Sequence, residues 1–169
     1  ACADAAIRAA REFAVQLLEP RYGRPRSAAG EEQELVVLGM GKLGGGELNV
    51  SSDVDLVFLH ATDGETAGER PVSHHEFFTQ VGRRAIALLA DPTPEGYVFR
   101  VDMRLRPFGD SGPLVSSFAA LEHYFIGQAR PWERYAWLKG RVLNGPGEEG
   151  AAIVQPFVYR RYLDYGLLE

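Results

Sequence analysis

Two aspartates two positions apart, Asp53 and Asp55, open an apolar run that continues to Leu59. Side chains alternate along a strand, so both carboxylates are expected on one face. Carboxylates held that close repel each other unless a cation sits between them. Oxygen-only ligands on a strand suit Mg²⁺, which takes one or two carboxylates plus substrate phosphates. A second apolar run, Leu35-Val36-Val37-Leu38, ends at Gly39 and gives way to Gly41, Lys42, Gly44, Gly45 and Gly46. A glycine turn beside the carboxylates can bring backbone N–H groups close to a phosphate. Residues 97–107 alternate and predict a further strand. Val101, Met103 and Leu105 fall on one face, and Arg100, Asp102, Arg104 and Arg106 on the other. Such a charged face is either an edge strand protected from aggregation or a third carboxylate with arginines aimed at phosphate oxygens. The Asp53/Asp55 pair favours the second. The residues point to phosphoryl or nucleotidyl transfer.

Other glycine motifs fit less well. Gly39-Met40-Gly41-Lys42-Leu43-Gly44 matches the dinucleotide-binding pattern G-x-G-x-x-G. A βαβ unit, however, needs a crossover of about a dozen residues or more before the next parallel strand. Here the Asp53 strand follows too soon, through Gly45-Gly46-Glu47-Leu48-Asn49-Val50. A phosphate-binding P-loop fails too, because no Gly-Lys-Ser/Thr stands at the required spacing.

The surrounding elements follow from periodicity. Residues 4–18 predict a packing helix with Asp4 placed to cap it, and residues 20–30, with two prolines, a loop. Residues 61–73 are expected to be an exposed loop with room to move, followed by His74 and His75 on the surface at a helix start. Residues 76–90 predict a helix whose apolar side packs on the sheet. The turn-rich stretch 108–113 is placed to lie over the site. Residues 117–126 predict a helix with a Phe118, Leu121, Tyr124, Phe125 stripe. Residues 131–143 predict another, with Pro131 in its first turn, Trp132, Tyr135, Ala136 and Leu138 packed, and Lys139 and Arg141 solvated. After a break, residues 149–163 predict a last helix, kinked at Pro156.

The chain has 169 residues, 46% of them apolar, enough for one domain with a core. Its net charge of −5 disfavours non-specific nucleic-acid binding. One cysteine, Cys2, allows no disulfide framework and no cysteine-rich zinc site. The single cysteine fits a reducing cytoplasm, the location expected; no apolar run reaches membrane-spanning length. The chain begins without Met, inside an expected helix, which suggests an excerpt of a longer protein.

The stretch Gly39-Met40-Gly41-Lys42-Leu43-Gly44-Gly45-Gly46-Glu47-Leu48-Asn49 followed by Ser51-Ser52-Asp53-Val54-Asp55-Leu56 resembles the bifunctional glutamine synthetase adenylyltransferase/adenylyl-removing enzymes. The stretches from Val101 to Val115 and Trp132-Glu133-Arg134-Tyr135-Ala136 resemble further signatures of that family. The resemblance implies an α+β chain with the DNA polymerase β-like nucleotidyltransferase fold: a small mixed sheet, flanking helices and a C-terminal helical part. It implies an N-terminal helix and loop over 1–30, a nucleotidyltransferase core over 31–115 and the helical part over 116–169. It also implies a catalytic and metal-binding trio, Asp53, Asp55 and Asp102, holding two Mg²⁺. Gly39, Gly41, Lys42, Gly44, Ser52, Arg104 and Arg106 become the expected phosphate- and substrate-binding residues. Phe108 after Pro107, and Trp132-Glu133-Arg134-Tyr135, look more like the half that removes AMP from glutamine synthetase by phosphorolysis. The alternatives are the half that transfers AMP from ATP, and an inactive domain that only binds nucleotide or a regulator. Implied partners are adenylylated glutamine synthetase, nucleotide, inorganic phosphate and, through the longer enzyme, the PII signal protein; neither nucleic acid nor membrane is expected.

Overall fold

The computed structural model describes residues 2–144 and Gln155. The helix expected over 149–163 lies outside the described residues apart from Gln155. Strand β1 (Val36–Gly39) turns through the one-turn helix α2 (Gly41–Gly44) and returns antiparallel as β2 (Val54–His60), pairing Val36 with Leu59 and Gly39 with Leu56. Strand β3 (Val101–Asp102) lies parallel to the start of β2, and β4 (Val115–Ser117) lies parallel to its end. Strand β5 (Arg141–Asn144) pairs antiparallel with the other side of β1. Among the described residues the result is a small mixed five-stranded sheet in the order β3-β2-β1-β5, with β4 also on β2.

Both faces of the central strands are apolar, and each is covered. Leu35, Val37, Leu56 and Phe58 pack under α1 (Cys2–Tyr22) and α3 (His74–Ala90), against Ile7, Phe77, Phe78 and Val81. Val36, Leu38, Val57 and Leu59 pack under α4 (Phe118–Gly127) and α5 (Pro131–Trp137), against Leu121, Phe125 and Trp137. Each such fully buried large side chain contributes about 1.5–3 kcal/mol. Asp55 has the parity of Val57 and Leu59, so it belongs to the α4/α5 face.

Several sequence expectations need correcting. Helix α1 runs past Pro20 to Tyr22, and the Gly23 N–H closes it on the Glu19 carbonyl at 2.8 Å. Asp4 does not act as the expected cap; its carboxylate pairs with Arg141 at 3.0 Å, and its acidity is raised mainly by that hydrogen bond. Helix α3 begins at His74, with the Ser73 hydroxyl accepting from the Glu76 N–H at 3.1 Å. His74 is therefore buried rather than on the surface: its Nδ1 lies 2.9 Å from the Thr62 carbonyl, which His60 shares at 3.1 Å. The loop over 61–73 is pinned by buried Thr66, whose hydroxyl accepts from the Val72 N–H.

The strand expected over 97–107 shrinks to Val101 and Asp102, since the chain turns immediately afterwards. The helix expected over 131–143 ends at Trp137, and its last residues become β5. That strand exists because β1 offers a free edge. Asn144 secures the junction, its side chain accepting from Val37 N–H at 3.1 Å and donating to Leu35 O at 2.9 Å across a bulge. The expected phase of α5 was also off: Trp137 is buried, while Trp132, Tyr135 and Leu138 are exposed.

Candidate functional site

The start of β2 brings two of the three aspartates together directly. Asp55 and Asp102 are register partners on parallel strands, so their side chains leave the same face of adjacent strands. Neighbouring strands lie about 4.8 Å apart, close enough for the charges to oppose each other. Asp55 shows it: partial burial pushes its pKa up, and the charges of Asp102 and Asp53 push it further. Asp53 stands just before the strand, two residues from Asp55, and the intervening Val54 is fully buried on the other face.

Two guanidiniums answer these charges. Arg104 folds back on Asp102, its Nε 2.9 Å from Oδ2 and its backbone N–H 2.8 Å from Oδ1. The side-chain bond is the main reason the Asp102 pKa falls below its ordinary value. Arg100 Nε lies 2.7 Å from Asp53 Oδ1, and its Nη2 donates to the Ser51 carbonyl at 2.8 Å. Arg100 belongs to the alternating charged face of the sequence but was not singled out there. Its partner could not be read locally, because the contact joins residues 49 positions apart.

The glycine segment is built around close approach. Gly41 has φ +53°, and a Cβ there would stand 2.7 Å from Asp55 Oδ2. Any side chain would push into the carboxylate. A Cβ at Gly44 would stand 1.9 Å from the Lys139 carbonyl and 2.5 Å from the Gly39 carbonyl, so the backbone of α2 packs directly on the turn before β5. Gly39 ends β1 one residue before Met40, whose N–H donates to the Asp55 carbonyl at 2.9 Å. Lys42 is exposed on α2 and makes no ion pair among the described residues.

The remaining expected residues face the site less directly. The Ser52 hydroxyl donates to Asn49 Oδ1 at 2.7 Å and closes the turn leading into Asp53. Arg106 lies folded under its own loop, its side chain 11% exposed, with Nη1 donating to Met103 O at 2.8 Å. The 108–113 stretch leans on α4 through Phe108, whose ring meets Tyr124 edge-on at 4.6 Å. The Tyr124 hydroxyl in turn bonds Glu133, and burial together with that carboxylate pushes its pKa up to about 12. It thus stays protonated and ties α4 to α5.

The donor chemistry fits a hard divalent cation: three carboxylates and no sulfur or imidazole among them. As they stand, no three His, Cys, Asp or Glu side chains among the described residues converge on one metal position; two of the three aspartates are held by arginines. A Mg²⁺ site completed by substrate phosphate needs only one or two of them. No helix among the described residues is long and apolar enough to cross a membrane.

Residues 1–155 match the family model described as glutamate-ammonia ligase adenylyltransferase. The chain is 61% identical over 164 residues to a "bifunctional glutamine synthetase adenylyltransferase/adenylyl-removing enzyme" of Chromobacterium violaceum, covering 96% of this chain and 18% of that protein. Like-named proteins of Burkholderia mallei and Nitrosomonas europaea are 57% and 52% identical, over 98% and 100% of this chain and 19% of each relative. The chain thus spans less than a fifth of the length of these curated relatives.

Proposed function

Because the chain belongs to the glutamate-ammonia ligase adenylyltransferase family, we propose that it is the catalytic unit removing AMP from an adenylyl-tyrosine of glutamine synthetase. An oxygen of inorganic phosphate attacks the AMP phosphorus, and the bond from that phosphorus to the tyrosine oxygen breaks. The products are ADP and free tyrosine, the proton of the attacking phosphate ending on the phenol. The fold we assign is the polymerase β-like nucleotidyltransferase fold, supported by Asp55 and Asp102 on adjacent parallel strands of a small mixed sheet. Control by the PII signal protein through a longer enzyme, and a cytoplasmic setting, follow from the same reading.

The observation that carries it is the meeting of carboxylates and guanidiniums at the start of β2. Asp53, Asp55 and Asp102 would hold Mg²⁺, which supplies charge neutralisation and orientation to an in-line displacement. The chain's own residues supply the rest. Gly41, having no side chain, lets the backbone of α2 lie against Asp55, and the exposed Lys42 follows it on α2. Arg104, 72% exposed while bridging to Asp102, presents a guanidinium where a second anion would arrive. Bringing two anions together is the electrostatic problem of phosphorolysis, and fixed positive charge is what lowers its cost.

Arg104→Lys is the test. A lysine keeps the charge but not the two-pronged contact to carboxylate or phosphate. The apparent KM for inorganic phosphate should rise about tenfold, the scale of one charge-assisted hydrogen bond, while the KM for adenylylated glutamine synthetase changes little. An unchanged phosphate KM would remove Arg104 from the phosphate site.

A further inference from the structure

Helix α5 carries an aromatic pair that packing does not explain. Trp132 and Tyr135 stand three residues apart, so they share one side of the helix. They are 55% and 78% exposed, while the helix is anchored through Trp137, whose ring meets Phe125 at 5.1 Å. With Leu105, Leu138 and Ala136 the pair lines an apolar groove of about 670 Å³ that also includes Gly41. Ligand pockets run from roughly 300 to 1,000 Å³.

Gly41 joins the groove to the carboxylates. The same glycine whose missing side chain lets its backbone lie against Asp55 Oδ2 also lines the groove. Both features lie on the α4/α5 face of the sheet, to which Asp55 belongs by strand parity. A flat apolar ring in the groove would therefore have its attached phosphate directed at Asp55 and Asp102. A phosphate alone has no use for such walls; a nucleotide does.

We infer that the groove is the base subsite, in which the purine of the adenylyl group stacks on Trp132 with Tyr135 as the second aromatic surface. The inference rests on the nucleotidyl-transfer reading above and adds where the base is held and by what. Stacking on an exposed aromatic also explains the absence of a dense polar lining. The base is recognised here as a flat ring, with hydrogen bonding secondary.

Two probes separate this inference from the reading beneath it. Affinities for ADP and for inorganic pyrophosphate, which lacks a base, are measured by calorimetry in Mg²⁺ for the parent, Trp132→Ala and Trp132→Phe. Trp132 is largely exposed, so its loss leaves the core intact. Trp132→Ala should weaken ADP about tenfold or more, the scale of one base–aromatic stack, leave pyrophosphate unchanged, and recover most of the ADP affinity in Trp132→Phe. ADP affinity unchanged in Trp132→Ala would overturn the inference, as would equal weakening of both probes, which marks a structural role. A raised KM for adenylylated glutamine synthetase with unchanged ADP affinity would also overturn it, assigning the groove to the protein substrate. If neither probe binds the parent, the nucleotidyl-transfer reading falls and takes the inference with it.

Discussion

Asp55→Asn is expected to reduce turnover to background while raising the melting temperature of the metal-free protein. Both effects come from one charge. Asp55 is partly buried beside Asp102 and Asp53, and its raised pKa shows that the folded protein resists its ionisation. In EDTA at neutral pH the charge is a cost of folding, and the amide removes it at nearly constant shape. The folded-state pKa lies above the ordinary value of 3.8. The advantage of the variant is therefore complete above that raised pKa and shrinks as the pH falls through it. Asp102→Asn should do the opposite to stability, because Asp102 is held ionised by Arg104 and its pKa is lowered. Added Mg²⁺ should raise the parent's melting temperature more than that of Asp55→Asn, since a ligand stabilises only the state that binds it. Thermal melts with and without EDTA, beside an activity assay, check the set. An Asp55→Asn protein that melts lower than the parent and responds equally to Mg²⁺ would remove Asp55 from the strained cluster.

Gly44→Ala should be the most destabilising single-methyl change in the glycine segment. A methyl at Gly44 meets two backbone carbonyls, Lys139 O at 1.9 Å and Gly39 O at 2.5 Å, neither of which can rotate away as a side chain would. Relief requires α2 to separate from the turn before β5, which also disturbs the Arg141 bonds to the Gly44 carbonyl at 3.2 Å and to Asp4 at 3.0 Å. Overpacking of this kind costs about 3 kcal/mol, or roughly 10 °C in melting temperature for a chain of this size. Gly46→Ala is the control: a Cβ there meets nothing within 4 Å, and only its φ of +72° is strained. Comparable losses in both variants would show that conformation, rather than the approach of Lys139, governs this segment.

The parts legible in the sequence were those with a strong local signal. The apolar runs of β1 and β2, the glycines between them and the broad apolar side of α3 all sit where periodicity put them. The same holds for the buried stripe of α4, from Phe118 through Phe125. The carboxylate cluster was legible for the same reason, since Asp53 and Asp55 are local neighbours. What escaped depends on partners distant in sequence. Strand β5 is four residues long and follows a helix without a break in pattern; only the open edge of β1, about 100 positions earlier, makes it a strand. Arg100 became part of the site only through Asp53 and Ser51. The alternation of 97–107 was real in its charges but did not extend the strand, because the chain turns at Arg104 and Leu105, just after the two residues that pair with Val54 and Asp55. The burial of His74 was set by the Gly64 loop closing over its ring.

The central claim is that this carboxylate and arginine cluster removes AMP by phosphorolysis. Its most direct test supplies adenylylated glutamine synthetase, Mg²⁺ and ³²P-labelled inorganic phosphate to the protein and follows the label. Labelled ADP, with the isotope in its β-phosphate, should appear in step with unmodified glutamine synthetase, and Asp55→Asn should give neither product. Release of unlabelled AMP, or AMP transfer from ATP onto glutamine synthetase with no labelled ADP formed, would contradict it.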